Sequence, residues 1–268
     1  MQRKILVTGL SGVVGSAIRP VLEKRYQVSS LARHGAPGLL REQSFQADIA
    51  ELEAIRPAFS GVDTVVHLAA TGGVRSPMGS RTGFSELQQT NIVGTYNVFE
   101  AAANAGVRRV VFASSGATVR GYENSSPYRE LARGEYQKLD RPVPRLDKDV
   151  EPRPMSLYGV TKLFGEALGR CYVETTALSV ICLRIGSVSP ENRPRDVRGR
   201  AVFVSHRDLA QLVVKSIEAP ARVRFDIFYG VSDNTRGYRD LSHAREVLGY
   251  SPQDDADALL GENHADIP

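Results

Sequence analysis

The sequence lacks the features that mark several classes of protein. It has no tryptophan and only two cysteines, Cys171 and Cys182, in 268 residues. Both cysteines lie in apolar surroundings without the close spacing of a metal site, so we expect buried free thiols and no disulfide. No apolar run reaches the roughly 18 residues of a membrane-spanning helix, so we expect no membrane span. The net charge of +4 comes without a run of basic residues, so we do not expect nucleic-acid binding.

What is present is enough hydrophobic sequence for a packed core. The hydrophobic fraction is 42%, and a chain of this length forms one large domain or one domain with a small lobe. The first residues run directly into an apolar stretch over 3–8, without the apolar segment and cleavage site of a signal peptide. The sequence therefore predicts a cytoplasmic protein.

Three glycines follow this first apolar stretch, which has the length of a buried strand. Gly9 permits a tight turn, Gly12 lets the backbone approach a pyrophosphate, and Gly15 allows close packing of a helix on the strand. The helix that follows, to about Arg25, offers free N–H groups at its N-terminus to phosphates. Strand, glycine turn and helix together predict a dinucleotide site.

Tyr158 and Lys162 are four residues apart, which places both side chains on one face of a helix. A tyrosine has an ordinary pKa of about 10, and a nearby ammonium favours its phenolate. We therefore expect Lys162 to lower the pKa of Tyr158, and the ammonium together with the positive ring of the cofactor to bring it to about 7. Such a pair suits proton exchange with an alcohol or a carbonyl.

Strand and helix patterns alternate along the chain, which indicates a parallel sheet covered on both faces. The predicted fold is α/β, a Rossmann-type doubly wound parallel sheet with a small C-terminal substrate lobe. Residues 1–188 form the dinucleotide-binding domain, and residues 189–268 form the lobe, whose segment 206–230 returns to the core. Strands are predicted near 3–8, 26–31, 43–47, 63–69, 108–114, 179–185 and 224–230, and helices near 12–25, 50–58, 84–105, 157–174 and 206–219.

Three segments lie outside this alternation. Residues 120–155 contain five prolines and are too long for an ordinary loop, so we expect an active-site insertion that covers the substrate. Residues 186–205 are rich in arginine and follow the sixth strand, where ligands gather at the carboxyl ends of strands. The acidic tail from Ser251 is expected to fray.

These motifs resemble the short-chain dehydrogenase/reductase superfamily, in its extended branch of sugar epimerases, dehydratases and dehydrogenases. The spacing Gly-x-x-Gly-x-x-Gly and the pair Tyr-x-x-x-Lys carry the resemblance, and five further segments follow in the family's order. These segments are 48–49, 65–70, 91–95, 110–115 and 228–232.

The resemblance implies a catalytic set of Ser115, Tyr158 and Lys162. Tyr158 exchanges a proton with the reacting oxygen, Ser115 holds the same oxygen, and Lys162 also binds the nicotinamide ribose; Ser114 is the alternative to Ser115. The implied cofactor-binding residues are Gly9, Ser11, Gly12, Val13, Gly15, Arg33, Asp48, Ile49, Leu68, Ala69, Ala70, Asn91, Tyr158, Lys162 and Ile185. The substrate contacts implied by position are Gly72, Ser115, Gly116, Ser187 and Arg195, the last for an anion.

The end of the second strand indicates which cofactor binds. Many relatives carry there an acidic residue that bonds the ribose 2′-OH, whereas this chain has Ala32 followed by Arg33. An arginine suits a 2′-phosphate, so we expect NADP(H) in preference to NAD(H). His67 and His206 lack an accompanying Cys/His/Asp cluster, so we expect no metal site.

The pattern is most similar to that of uronate dehydrogenases, which oxidise a hexuronic acid at its anomeric carbon. Four positions depart from it. Gly116 and Ala117 replace Asn-His, Gly72 replaces a serine, the connection before Tyr158 is longer, and the acidic residue of the second strand is absent. The resemblance therefore supports the chemistry but not that particular substrate.

Three functions are consistent with these residues. The first is an NAD(P)-dependent oxidoreductase of a small alcohol or carbonyl, and the second is an epimerase or dehydratase that uses a tightly held cofactor transiently. The third is a non-catalytic NADP-binding regulatory protein, against which the intact Ser115, Tyr158 and Lys162 speak. Family analogy also implies a homodimer.

Overall fold

The structure is a computed structural model that describes residues 2–36, 38–72, 81–139 and 142–260. Its strands are Lys4–Thr8 (β1), Gln27–Ala32 (β2), Ser44–Gln46 (β3), Thr64–His67 (β4), Arg109–Ser115 (β5), Ser179–Ile185 (β6) and Phe225–Gly230 (β7). Its α-helices are Val13–Arg25 (α1), Leu52–Ile55 (α2), Arg81–Leu87 (α3), Gly94–Asn104 (α4), Tyr128–Arg133 (α5), Leu157–Thr175 (α6), Gly199–Val202 (α7), His206–Glu218 (α8), Ser242–Leu248 (α9) and Ala256–Leu260 (α10).

The strands form one parallel sheet in the order β3-β2-β1-β4-β5-β6-β7. β1 pairs with β2 on one side and with β4 on the other, so the chain reverses its direction of winding at β1. In sheets of this kind, ligands bind outside the carboxyl ends of the strands at that point. The predicted fold class, a Rossmann-type parallel sheet covered by helices, is confirmed.

Helices cover both faces of the sheet because each presents an apolar stripe to it. On one face, Ile18 of α1 and Leu212 of α8 belong to a buried apolar cluster with residues of the strands. On the other face, Phe99 of α4 and Tyr172 of α6 belong to a second cluster, which includes Phe112 of β5. The apolar residues of β5 and β6 are therefore buried from both sides, as a parallel strand requires.

Several local predictions needed correction. The predicted helix 50–58 is the short α2 followed by a 3-10 turn over Arg56–Phe59, where Pro57 has no N–H to continue the α-helix. The predicted helix 84–105 contains a π-helical stretch, Gln88–Val93, between α3 and α4. The tail does not fray from Ser251: Asp254 accepts hydrogen bonds from Ser205 and Arg207, and α10 follows. The rest of the tail, 261–268, lies outside the described residues.

The long connection before α6 packs on the C-terminal part of the chain. Leu131 and Leu146 share an apolar cluster with Val202 and Tyr238. The backbone N–H of Leu146 donates to the carbonyl of Tyr238 at 2.7 Å, and the Tyr229 hydroxyl donates to the carbonyl of Asp147 at 3.0 Å. The described part of this insertion is therefore attached to the segment that follows β6.

The two cysteines differ in environment. Cys182 on β6 is buried, and burial raises the pKa of its thiol well above the usual value. Cys171 is exposed on α6, so the expectation of two buried thiols is wrong for this residue, which lies on the solvent side of the helix. Both thiols are free. Among the described residues, no helix is both long and apolar enough to cross a membrane.

Candidate active site

Three adjoining cavities lie at the carboxyl ends of the strands. The glycine cavity, of about 260 Å³, is lined by the turn after β1 and the ends of β2 and β3. The central cavity, of about 210 Å³, shares Leu68 and Ala70 with it. The outer cavity, of about 410 Å³, shares Ser115 and Tyr158 with the central cavity. Together they form a cleft across the point where the winding of the sheet reverses.

Most of the predicted cofactor-binding residues line this cleft. The glycine cavity is lined by Gly9, Ser11, Gly12, Arg33, Asp48, Ile49, Leu68, Ala69 and Ala70. The central cavity is lined by Val13, Leu68, Ala70, Tyr158, Lys162 and Ile185. Gly15 and Asn91, the two remaining residues, are buried beside the cleft.

The turn after β1 has the shape that its glycines predict. Gly9 has a φ of +73°, and a Cβ there would lie 2.9 Å from the backbone of Ala69. A Cβ on Gly15 would lie 2.3 Å from the carbonyl oxygen of Leu10, so α1 packs directly on the turn. A side chain at either position would clash with backbone, which cannot move cheaply. The turn therefore places the N-terminus of α1 beside the glycine cavity, which Gly9, Ser11 and Gly12 line.

Asn91 hydrogen-bonds to two of the segments that surround the cleft. Its side-chain amide donates to the carbonyl of Thr71 at 2.9 Å and to the hydroxyl of Thr161 at 3.1 Å. Its Oδ1 accepts from the N–H of Thr71 at 2.9 Å. Asn91 thus ties the turn after β4 to α6, and the structure gives it a positioning role instead of a place in the cavity lining.

Ser115, Tyr158 and Lys162 meet at the central cavity. Ser115 is the last residue of β5, and it lines both the central and the outer cavity together with Tyr158. The hydroxyl of Ser156 caps α6 by accepting from the N–H of Gly159 at 3.1 Å. This cap fixes the first turn of the helix, so that Tyr158 and, one turn later, Lys162 face the end of β5.

The pKa of Tyr158 differs from the sequence-based expectation. Burial raises the pKa of its hydroxyl above the usual value, while the neighbouring Ser115 side chain acts in the opposite direction. Lys162 Nζ donates to the carbonyl oxygen of Ala113 at 2.8 Å and lies 5.5 Å from the centroid of the Tyr158 ring. In the protein alone, burial therefore decides the direction of the shift in the pKa of Tyr158. Burial lowers the pKa of Lys162 itself to about 8.

Ser114, the alternative to Ser115, has a different partner. Its hydroxyl donates to Oε1 of Glu166 at 2.5 Å. Both carboxylate oxygens of Glu166 also accept from Arg184 at 2.9 Å, in a buried ion pair between α6 and β6. Ser114 lines the central cavity but has its hydroxyl engaged by Glu166, whereas Ser115 lines both the central and the outer cavity.

His67 is a structural residue of the same edge of the sheet. Its ring lies between the hydroxyls of Thr8, at 2.7 Å, and Thr95, at 3.2 Å. Burial lowers the pKa of His67 to about 3, so the ring is neutral over the physiological range. His206 contacts the carbonyl of Ser189 at 2.8 Å. Within the described ranges, no group of three or more His, Cys, Asp or Glu side chains could hold a metal ion.

The outer cavity brings together four of the five predicted substrate contacts: Gly72, Ser115, Gly116 and Ser187. Arg195 does not line it. Its guanidinium is bound to Glu191 at 2.8 Å, and its side chain is 58% exposed. Arg195 forms an ion pair at the surface with a residue four positions earlier in the sequence. Its position after β6 therefore did not indicate where its side chain points.

Three arginines that the sequence motifs do not single out line the outer cavity. They are Arg120 from the insertion and Arg198 and Arg239 from the C-terminal part of the chain. Arg198 lies in the same arginine-rich segment after β6 as Arg195, and it is the member of that segment that lines the outer cavity. Arg239 is far from any recognised motif, and only the packing of the C-terminal part on the insertion brings it to the site.

A parallel sheet with a glycine turn at its reversal point, and with Tyr158 and Lys162 beside the cleft, defines a dinucleotide-binding protein of the Rossmann class. The chain belongs to the NAD dependent epimerase/dehydratase family, whose model matches residues 5–211. The predicted resemblance to the extended short-chain dehydrogenases/reductases, and to the pattern of uronate dehydrogenases, is confirmed.

Named relatives match nearly the whole chain. The NAD-dependent glucose-6-phosphate dehydrogenase of Haloferax volcanii is 35% identical, over 96% of this chain and 95% of its own length. The L-arabinose 1-dehydrogenase (NAD(P)(+)) of the same organism is 31% identical, over 96% and 99%. The crystal structure of uronate dehydrogenase from Agrobacterium tumefaciens matches with a TM-score of 0.79 and a sequence identity of 31%. The match covers 96% of this chain and 87% of that chain.

Proposed function

We propose that this protein is a sugar 1-dehydrogenase, which oxidises the C1 hydroxyl of a cyclic sugar to a lactone with NADP⁺ or NAD⁺. The observation that carries the proposal is that Ser115 and Tyr158 line both the central and the outer cavity, and that Lys162 lines the central cavity with them. The central cavity adjoins the glycine cavity, which has the features of a dinucleotide site. The outer cavity is polar and has the size of a sugar.

The coarser prediction, an NAD(P)-dependent oxidoreductase of a sugar-like substrate, is confirmed by the family and the dehydrogenase relatives. The relatives named above act on glucose 6-phosphate, L-arabinose and uronate according to their names. Oxidation at the anomeric carbon of a free sugar is the reaction that we transfer from them to this chain. The particular sugar is not transferred, because Gly72, Gly116 and Ala117 depart from the uronate dehydrogenase pattern.

The cleft fits a nicotinamide dinucleotide. The glycine turn lets phosphates approach the backbone, the glycine cavity accommodates an adenosine between the ends of β2 and β3, and Lys162 lies where a ribose hydroxyl could bind. When bound, the nicotinamide supplies the acceptor for the hydride that leaves C1.

The residues of this chain perform the proton chemistry. Ser115 holds the C1 hydroxyl oxygen, and Tyr158, as the phenolate, accepts its proton as the C1–H bond breaks and the C=O bond of the lactone forms. The ammonium of Lys162, 5.5 Å from the centroid of the Tyr158 ring, supplies positive charge that favours the phenolate before it takes the proton. The walls of the central cavity, which include Val13 and Ile185, exclude water from the reacting carbon.

We propose NADP(H) as the preferred cofactor. Arg33 lines the glycine cavity and follows Ala32, so the end of β2 offers a cation where an acidic residue would select the ribose 2′-OH. The Kd of NADPH should be lower than that of NADH. Arg33→Gln should raise the Kd of NADPH about 10-fold or more, since a charge-assisted hydrogen bond is lost, and should leave that of NADH nearly unchanged. Tighter binding of NADH by the unaltered protein would refute the preference.

We propose that residues 189–268 form a small substrate lobe, whose segment 206–230 returns to the core, and that the insertion 120–155 of the dinucleotide-binding domain covers the substrate from the other side. The support is that Arg120 of the insertion and Arg198 and Arg239 of the lobe all line the outer cavity. Substitution of Arg239 tests this assignment because it should alter sugar selection without altering cofactor binding.

We also propose a homodimer formed through α4 and α6, by family analogy. Two apolar side chains on these helices are well exposed, Tyr96 at 44% and Val160 at 49%. A second copy would remove such surface from water. Sedimentation velocity should give a mass near twice 29.2 kDa, and a monomer at all concentrations would refute the proposal.

The proposed activity is tested by incubating the purified protein with NADP⁺ or NAD⁺ and a panel of aldoses. The absorbance of the reduced nicotinamide should rise with at least one cyclic sugar and not with its 1-O-methyl glycoside, which has no free C1 hydroxyl. An epimerase would instead interconvert sugars without net reduction and would retain its cofactor through purification. Reduction with the glycoside alone would contradict oxidation at C1.

A further inference from the structure

Arg239 is a buried cation of the outer cavity that the proposed chemistry does not use. Its side chain is 1% exposed, yet none of the described carboxylates forms an ion pair with it. Its Nη2 donates only a long hydrogen bond, 3.4 Å, to the carbonyl of Gly116. Its Nε and Nη1 have no hydrogen-bond partner among the described residues. Buried guanidinium groups are normally paired, because desolvation of an unpaired charge is costly.

The packing around Arg239 holds this cation close to the catalytic serine. The guanidinium carbon lies 5.5 Å from the ring centroid of Tyr229 and 5.8 Å from that of Tyr238. A Cβ on Gly116 would lie 1.9 Å from Nη1, so only a glycine at 116 leaves room for the guanidinium. Because Gly116 follows Ser115 directly, the cation and the reacting hydroxyl can contact the same small sugar.

The other arginines of the outer cavity are engaged by one acid. Arg198 binds both carboxylate oxygens of Glu123, at 2.6 and 2.7 Å. Arg120 lies 3.6 Å from the same carboxylate, and the Tyr238 hydroxyl donates to it at 2.6 Å. Two arginines therefore share one carboxylate, Arg239 has none, and none of the described residues that line the cavity is acidic. The cavity carries an excess of positive charge that a neutral sugar would leave uncompensated.

We propose that Arg239 is a binding residue for an anionic group of the sugar, a carboxylate or a phosphate, and that the enzyme selects acidic sugars over neutral ones. This inference rests on the proposed oxidation at C1. Carboxylate and phosphate oxygens both accept charge-assisted hydrogen bonds from a guanidinium, so the chemistry is shared between the two groups. An anion in the outer cavity supplies the partner that Arg239 otherwise lacks.

The test compares glucose with glucuronate and glucose 6-phosphate, which add an anion at the same end of the sugar. In the unaltered protein, kcat/KM for at least one acidic sugar should exceed that for glucose about 10-fold or more, given the strength of a charged hydrogen bond. The two acidic sugars distinguish a carboxylate from a phosphate as the bound group. Arg239→Met should lower the ratio of acidic to neutral kcat/KM about 10- to 100-fold, mainly through KM, and Arg239→Lys should retain part of it.

Arg195→Met is the matched control, because Arg195 lies in the same part of the chain but outside the cavity. It should leave the ratio unchanged. A folding defect lowers both rates together, so the ratio separates binding from stability. If Arg239→Met does not fold, Arg239→Lys and the unaltered protein still decide the question.

The inference is overturned if the unaltered protein oxidises glucose as well as both acidic sugars, or if the ratio is unchanged in the Arg239 variants. In that case sugars are still oxidised at C1, and only the role of Arg239 fails. If no sugar reduces the cofactor at all, the proposed function fails with it.

Discussion

Replacing Tyr158 with phenylalanine should lower kcat for sugar oxidation about 10²- to 10⁴-fold, the range for loss of a general acid-base group. The change removes one hydroxyl and keeps the ring. Tyr158 and Ser115 both line the central and the outer cavity. Because the substitution leaves the glycine cavity intact, the Kd of the cofactor should change little. Stopped-flow or steady-state reduction of the cofactor measures the first effect, and fluorescence titration measures the second.

Tyr172→Phe is the matched control on the same helix. Its hydroxyl donates to Glu100 at 2.6 Å, about four helical turns further along α6, and Tyr172 does not line the central cavity. This variant should keep the kcat of the unaltered protein. If Tyr158→Phe also kept full activity, the protein would not be a dehydrogenase of this type, and the non-catalytic cofactor-binding alternative would gain support.

Replacing Glu166 with glutamine should lower the free energy of unfolding by about 3–5 kcal/mol, because it breaks a buried ion pair and leaves one charge unpaired. Both oxygens of Glu166 accept from Arg184, and the two side chains are only 6% and 3% exposed. The carboxylate also accepts the hydroxyl of Ser114 on β5. The pair thus joins α6, β5 and β6 directly beneath the residues that position the substrate. Denaturation by urea at neutral pH measures the effect.

Glu174→Gln is the control for this prediction. Glu174 lies on the same helix and pairs with Arg170 at 3.3 Å, but its side chain is 66% exposed. Loss of such a surface pair should cost less than about 1 kcal/mol. Equal costs for the two variants would mean that the buried pair contributes no more than a surface one.

The parts of the site that local patterns encode could be predicted from sequence. The glycine turn after β1, the end of β5 at Ser115 and the spacing of Tyr158 and Lys162 each depend on a few neighbouring residues. Parallel strands bring such ends together at one edge of the sheet, so their convergence follows from the fold class. The structure places Ser115, Tyr158 and Lys162 at one cavity.

Features that depend on distant packing could not be predicted. Arg239 reaches the outer cavity because Leu146 pairs with it across a β-bridge between the insertion and the C-terminal part. No periodicity in either segment marks that contact. Arg195 shows the opposite case, since its position suggested a substrate contact but Glu191, four residues earlier, holds it at the surface.

The effect of Lys162 on Tyr158 shows the limit of a spacing argument. A spacing of four residues places the two side chains on one face of a helix. It does not by itself place the ammonium of Lys162 beside the hydroxyl of Tyr158. The carbonyl of Ala113 holds Nζ at 2.8 Å, and desolvation then decides the direction of the shift in the pKa of Tyr158. Burial, unlike spacing, is a property of the whole fold.

The most direct measurement of the central claim follows a deuterium atom from C1 of an oxidised sugar. If Tyr158 and Ser115 present the C1 hydroxyl to a dehydrogenase site, the label should appear on the reduced nicotinamide, and Tyr158→Phe should stop this transfer. Recovery of the label in the sugar or in water, with no net reduction of the cofactor, would contradict the account.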